Sequence, residues 1–140
     1  MGRILCATRG GVGSYQTQDA AAALARERGD ELLFIYVVDT SFLNQTAAPL
    51  VVDIEARLAK MGRFQLTMAQ ERAAARGIEA QALVRRGPLQ AELAAAAREL
   101  DVDLIVLGHP VNEGAVFDEA ALHSLASWLE EEAGIKVLIL

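Results

Sequence analysis

The chain has 140 residues, 53% of them hydrophobic, with 13 basic against 19 acidic side chains and a formal charge of -6. That length and apolar content suit one domain with one ordinary core, and an acidic balance with the two signs interspersed argues against nonspecific binding to nucleic acid or to an anionic membrane. The single cysteine, Cys6, cannot form an internal disulfide, which fits a reducing cytoplasm. No apolar run approaches the roughly 18 residues of a membrane span, and no leader pattern precedes Ile4.

Ile4-Leu5-Cys6-Ala7 forms a short apolar run that ends at Thr8 and runs into the loop Arg9-Gly10-Gly11-Val12-Gly13. Ser14 is placed to cap an alanine-rich helix that stops at Gly29. Leu32 to Val38 is a second continuous apolar run, and such runs suit strands buried on both faces of a parallel sheet. After a loop from Thr40 to Ala48, Pro49 opens a helix with Val51, Ile54, Leu58, Met61, Gln65 and Met68 at helical spacing, closed by Gly77. Ile78, Ala80, Ala82 and Val84 alternate with more polar neighbours, as in a strand near a sheet edge. Beyond Gly87-Pro88, Leu89, Leu93, Ala96 and Leu100 make a helical stripe, and Leu104 to Leu107 make a fourth strand closed by Gly108. Asp118 is placed to cap a last helix bearing Leu122, Leu125, Ala126 and Leu129; Gly134 ends it, and Lys136 to Leu140 form a fifth strand. Alternating strands and helices imply right-handed crossovers, with helices on both faces and ligands beyond the carboxyl ends of the strands.

The opening strand with Thr8 and its glycine loop, Val37-Val38-Asp39, Val84-Arg85-Arg86-Gly87-Pro88 and Asp103-Leu104-Ile105-Val106-Leu107-Gly108 together resemble the universal stress protein family. Each motif is weak alone, but their order and spacing are specific, and they run over essentially the whole chain. The resemblance implies one α/β domain over residues 1–140. Its fold is a three-layer sandwich around a five-stranded parallel sheet of order 3-2-1-4-5, with the switch point between the first and fourth strands. Many members bind ATP there, with an aspartate ending the first strand and a Gly-x2-Gly-x9-Gly-Ser/Thr loop after the fourth. This chain departs from both features. Arg9 stands at the aspartate position and, counting from Gly108, Val111, Ala121 and Leu122 stand at the remaining motif positions. Glu113, Asp118 and Glu119 bring carboxylates to that loop, which would repel a triphosphate. ATP binding in the usual manner is expected to be lost or weak.

The candidate ligand crevice comprises Ala7, Thr8, Arg9, Gly10, Gly11, Gly13 and Val38 on one side, with Gly108, His109, Asn112 and Gly114 on the other. The glycines suit an amide nest for an anion or simply a flexible turn. Arg9 suits a phosphate, or a pairing with Glu113 or Asp118 that closes the site. Arg85 and Arg86 either add positive potential at the same end of the sheet or mark a solvated strand end. His109 reads as a hydrogen-bonding loop residue, Cys6 as an inert buried thiol, and no spacing suggests a metal site or a catalytic set. In the implied order the fifth strand is an edge, so Val137, Leu138 and Ile139 invite pairing with a second chain. Trp128, off the apolar stripe of its helix, either packs under a neighbouring element or joins that contact; the family's common dimer on the last strand favours a homodimer. The expectation is a cytoplasmic, non-enzymatic, dimeric regulatory module acting through an unidentified protein partner, with no cofactor. The alternative is a sensor of ATP, AMP or another anion in the crevice, with a weak ATPase a more distant third.

Overall fold

The computed structural model describes residues 2–8, 12–39, 48–109 and 119–140. Arg9, Gly10, Gly11, Asn112, Gly114 and the proposed cap Asp118 lie outside the described residues. The apolar runs become strands β1 (Arg3–Ala7), β2 (Glu31–Val38), β3 (Ala80–Arg86), β4 (Leu104–Leu107) and β5 (Lys136–Ile139). Helices α1 (Val12–Arg28), α2 (Ala48–Ala75), α3 (Leu89–Glu99) and α4 (Glu119–Glu131) connect them. Every strand pairing is parallel, and the order is β3-β2-β1-β4-β5, as the resemblance implied. The chain steps outward from β1 to β3, and α3 then returns it to the far side of β1. The order therefore reverses between β1 and β4.

Successive strand residues face opposite layers, which explains why these runs lack a polar alternation. Ile4, Cys6, Leu32, Phe34, Leu104 and Val106 pack against Ala21, Ala22 and Ala25 of α1 and Leu66, Ala69 and Ala73 of α2. Leu5, Leu33, Ile35, Ile105 and Leu107 pack against Leu93, Ala96 and Ala97 of α3 and Leu122, Leu125 and Leu129 of α4. Burial pushes the Cys6 thiol up to about 12, so the reactive thiolate is not populated at neutral pH.

Three local expectations shift. The first helix starts at Val12, so Ser14 lies inside its first turn rather than at its cap, and Gly13 is helical. The third strand begins at Ala80, two residues late, because the end of α2 claims Ile78. Gly77 takes φ 84, and the Ile78 N–H donates to the Ala73 carbonyl (3.0 Å) in a helix-terminating turn.

The third shift concerns α2. Its buried face is Ala59, Gly62, Leu66, Ala69 and Ala73, about 100° around the helix from the Ile54-Leu58-Met61-Gln65-Met68 stripe. Small residues win this face because they let the helix lie close to the sheet. A Cβ added to Gly62 would sit 2.4 Å from Cδ1 of Tyr36. Met61 is left 56% exposed and Phe64 63% exposed. Arg72 fixes the rotation of the helix: its guanidinium lies 4.3 Å over the Tyr15 ring and donates through Nε and Nη2 to the Asp19 carboxylate, which Arg76 also approaches at 3.2 Å.

Gly62→Ala should destabilise the domain by about 1–2 kcal/mol, read as a lower urea midpoint, since overpacking against the Tyr36 ring outweighs the roughly 1 kcal/mol gained in helix propensity. No loss of stability would mean that α2 does not depend on this close approach. Burial alone would raise the Asp19 carboxyl, but the hydrogen bonds and charges of Arg72 and Arg76 outweigh it and hold the group below its ordinary 3.8. A depressed folded-state value gives stability that is present above the ordinary value and lost as pH falls through the folded one. Asp19→Asn should therefore cost about 1 kcal/mol at neutral pH, with the gap to wild type closing as the solution is acidified below 3.8. A gap unchanged in strong acid would contradict the assignment.

Candidate functional site

At the carboxyl ends of β1 and β4 the apolar core gives way to hydroxyl and amide groups. The buried polar side chains among the described residues are Thr8, Thr17 and Gln18, and all three lie here. Gln18 Nε2 donates to Thr8 Oγ1 (2.8 Å), and the Thr8 N–H donates to the Ile35 carbonyl (2.9 Å). Thr17 Oγ1 donates to the Leu140 carbonyl (3.3 Å), while the Leu140 N–H extends the β4–β5 ladder to the Leu107 carbonyl. Gly108 makes this convergence sterically feasible, because a Cβ there would lie 2.5 Å from Thr17 Oγ1. Gln18 Oε1 is buried and accepts no hydrogen bond.

Sequence reasoning placed Ala7, Thr8, Gly108 and His109 at this end of the sheet, and the register brings them there, with Cys6 opposite Val106. It did not single out Thr17 or Gln18. Their signal was positional: the buried alanines of α1, Ala21, Ala22 and Ala25, extended by one turn toward the N-terminus, reach Thr17 and Gln18.

Other candidates are committed to structural contacts. Val38 is buried, and its carbonyl accepts from the Gly87 N–H (2.9 Å). Asp39 Oδ2 accepts from the Leu89 N–H (2.9 Å), satisfying a free amide at the start of α3. Arg85 does not lend its charge to the crevice. Its Nε donates to Glu92 (2.9 Å) and its Nη1 to Glu99 (2.7 Å), and the bonds to Glu99 and Glu92 raise its pKa further. His109 Nδ1 lies 2.8 Å from Glu119 Oε1, with His123 Nε2 3.7 Å from Glu119 Oε2. This carboxylate thus ties the end of β4 to the start of α4. No group of three or more His, Cys, Asp and Glu among the described residues is arranged to hold a metal ion.

At the β5 edge, Val137 and Ile139 pack against the α3–α4 side of the core, as does Trp128. Leu138 points away, 36% exposed. The Val137 N–H donates to Glu130 Oε1 (3.3 Å), so part of the edge is already covered.

These features define a doubly wound α/β domain whose strand order reverses between β1 and β4, the kind of place where open α/β sheets receive ligands. The model of the universal stress protein family matches residues 1–139, and the chain belongs to that family. A member from Burkholderia pseudomallei is 28% identical, with TM-score 0.74 over 99% of this chain and 94% of that one. UspA from Lactobacillus plantarum is 19% identical with TM-score 0.79, over 99% and 97% of the two chains. A universal stress protein solved with cAMP is 22% identical with TM-score 0.71, over 99% and 96%. No curated protein sequence matches the chain. No helix among the described residues is long and apolar enough to cross a membrane.

Gly108→Ala should destabilise the domain by about 1–3 kcal/mol, and the loss should shrink when Thr17 is also replaced by alanine. Equal losses in the two backgrounds, measured by urea unfolding, would show that Gly108 and Thr17 are not coupled.

Proposed function

We propose that this universal stress protein is a non-enzymatic regulatory module that works as a homodimer across β5, engages a protein partner and lacks the usual triphosphate grip. The observation that carries the dimer is Leu138, exposed on an edge strand that presents further ladder groups beyond the Val137 N–H. Arg9, Val111, Ala121 and Leu122 at the motif positions support the second part of the reading. No metal, ATP or AMP is required for this role.

A second reading rests on a different observation. Gln18 Oε1 is a buried acceptor without a donor, beneath the position where open α/β sheets receive ligands. Related structures were solved with cAMP, with dAMP from Archaeoglobus fulgidus and with AMP from Arabidopsis thaliana. On this reading the crevice senses an adenine monophosphate and not ATP, and Arg9 and the glycine loop are the sequence's candidates for contacting the anion.

Sedimentation at submicromolar concentration should give a dimer that Leu138→Arg converts to a monomer; a wild-type monomer would overturn the first reading. Calorimetry against ATP, AMP and cAMP, with and without Mg²⁺, separates the two. Absence of binding favours the interaction module, and saturable monophosphate binding that Gln18→Met weakens favours the sensor. Tight MgATP binding by the wild type would contradict both, whereas MgATP affinity gained only in Arg9→Asp would identify Arg9 as what blocks the site.

A further inference from the structure

The rotation of α2 leaves an ordered surface on its outer side. Arg57, Met61, Phe64, Met68 and Glu71 follow one another at intervals of four, three, four and three residues. At about 100° per residue this puts all five within a stripe roughly 80° wide, opposite the Ala59-Gly62-Leu66-Ala69-Ala73 face that meets the sheet. Such a stripe is the seam by which one helix packs on another. Met61 and Phe64 are two of the three large hydrophobic side chains exposed among the described residues, and the third is Leu138.

The stripe is complementary to itself in one direction only. Phe64 stands at its centre, with a methionine on each side. Arg57 lies seven residues before Phe64 and Glu71 seven after, each about 10 Å away along the helix axis. A parallel copy would set Arg57 against Arg57 and Glu71 against Glu71. An antiparallel copy sets Arg57 of each chain against Glu71 of the other, with the two phenylalanines meeting on the twofold axis. Among the described residues Arg57 is held at home by Asp53 at 3.4 Å, with both side chains more than half exposed, a contact worth little and readily exchanged.

We infer that the outer face of α2 is a second self-association surface, on which another copy of this chain docks antiparallel about a twofold axis at Phe64. The inference is independent of the β5 dimer, because α2 packs on β2 and β3, at the other side of the sheet. One helix pair buries less than the ~1,200 Å² of a standard interface, so the contact forms at micromolar or higher protein concentration.

The test combines position-specific cross-linking with charge exchange. Cys6 is buried and does not compete for a short bis-maleimide. Phe64→Cys should cross-link to itself about tenfold faster than Arg63→Cys, which lies on the same helix but off the stripe. The Leu138→Arg background should leave that ratio unchanged. In the Leu138→Arg background, where the β5 contact is removed, Arg57→Glu alone and Glu71→Arg alone should each lose self-association, since each sets like charges against each other at both ends. An equimolar mixture of the two should form a heterodimer, since both ends then pair Glu with Arg. Equal cross-linking rates at positions 64 and 63 would overturn the proposal, and so would a mixture that associates no better than its components.

Discussion

β1 pairs with β2 on one side and with β4 on the other, and α1 packs over the β1–β4 boundary. Ile4 meets Leu104, and Cys6 meets Val106, each pair 100 positions apart in sequence. That long-range ladder must be covered by helices on both faces, because each strand in it is apolar on both. It also brings the carboxyl ends of two distant strands to one place, and α1 closes over that place only as near as its side chains allow. The absent side chain of Gly108 against Thr17 sets that distance, and the hydrogen bonds of Thr8, Thr17 and Gln18 follow from it.

The strands and their parallel arrangement were legible because two-sided burial writes itself as unbroken apolar runs. The order of the strands was not, since nothing in Leu104 to Leu107 names β1 as its partner; it came from resemblance. The start of β3 was placed two residues early because Ile78 suits a strand equally well as a helix-terminating turn. The error on α2 is more instructive. Hydrophobic spacing pointed to Leu58, Met61 and Met68, yet the sheet accepted Ala59, Gly62 and Ala69. Close approach against the Tyr36 ring rewarded smallness over apolar bulk, and a pattern that scores hydrophobicity does not register that.

At the site, the fold-derived position was readable and its chemistry only partly so. Thr8 and Gly108 were visible as strand ends. Gln18 was hidden because a lone amide in an alanine-rich helix reads as surface, until the helix phase is taken from Ala21, Ala22 and Ala25. Arg85 was left between a crevice cation and a solvated strand end, and the sequence did not show that Glu92 and Glu99 of α3 pair with it.

The unpartnered carbonyl of Gln18 has an energetic consequence. A buried acceptor with no donor burdens the folded state by roughly 1–3 kcal/mol. The native structure therefore carries that cost beside Thr8, at the carboxyl end of β1. A molecule or ordered water that supplies a donor there relieves that burden in the folded state and not in the unfolded chain. Were a ligand's donor to reach that oxygen, binding would be linked to global unfolding through a single atom, and the melting temperature would rise with occupancy.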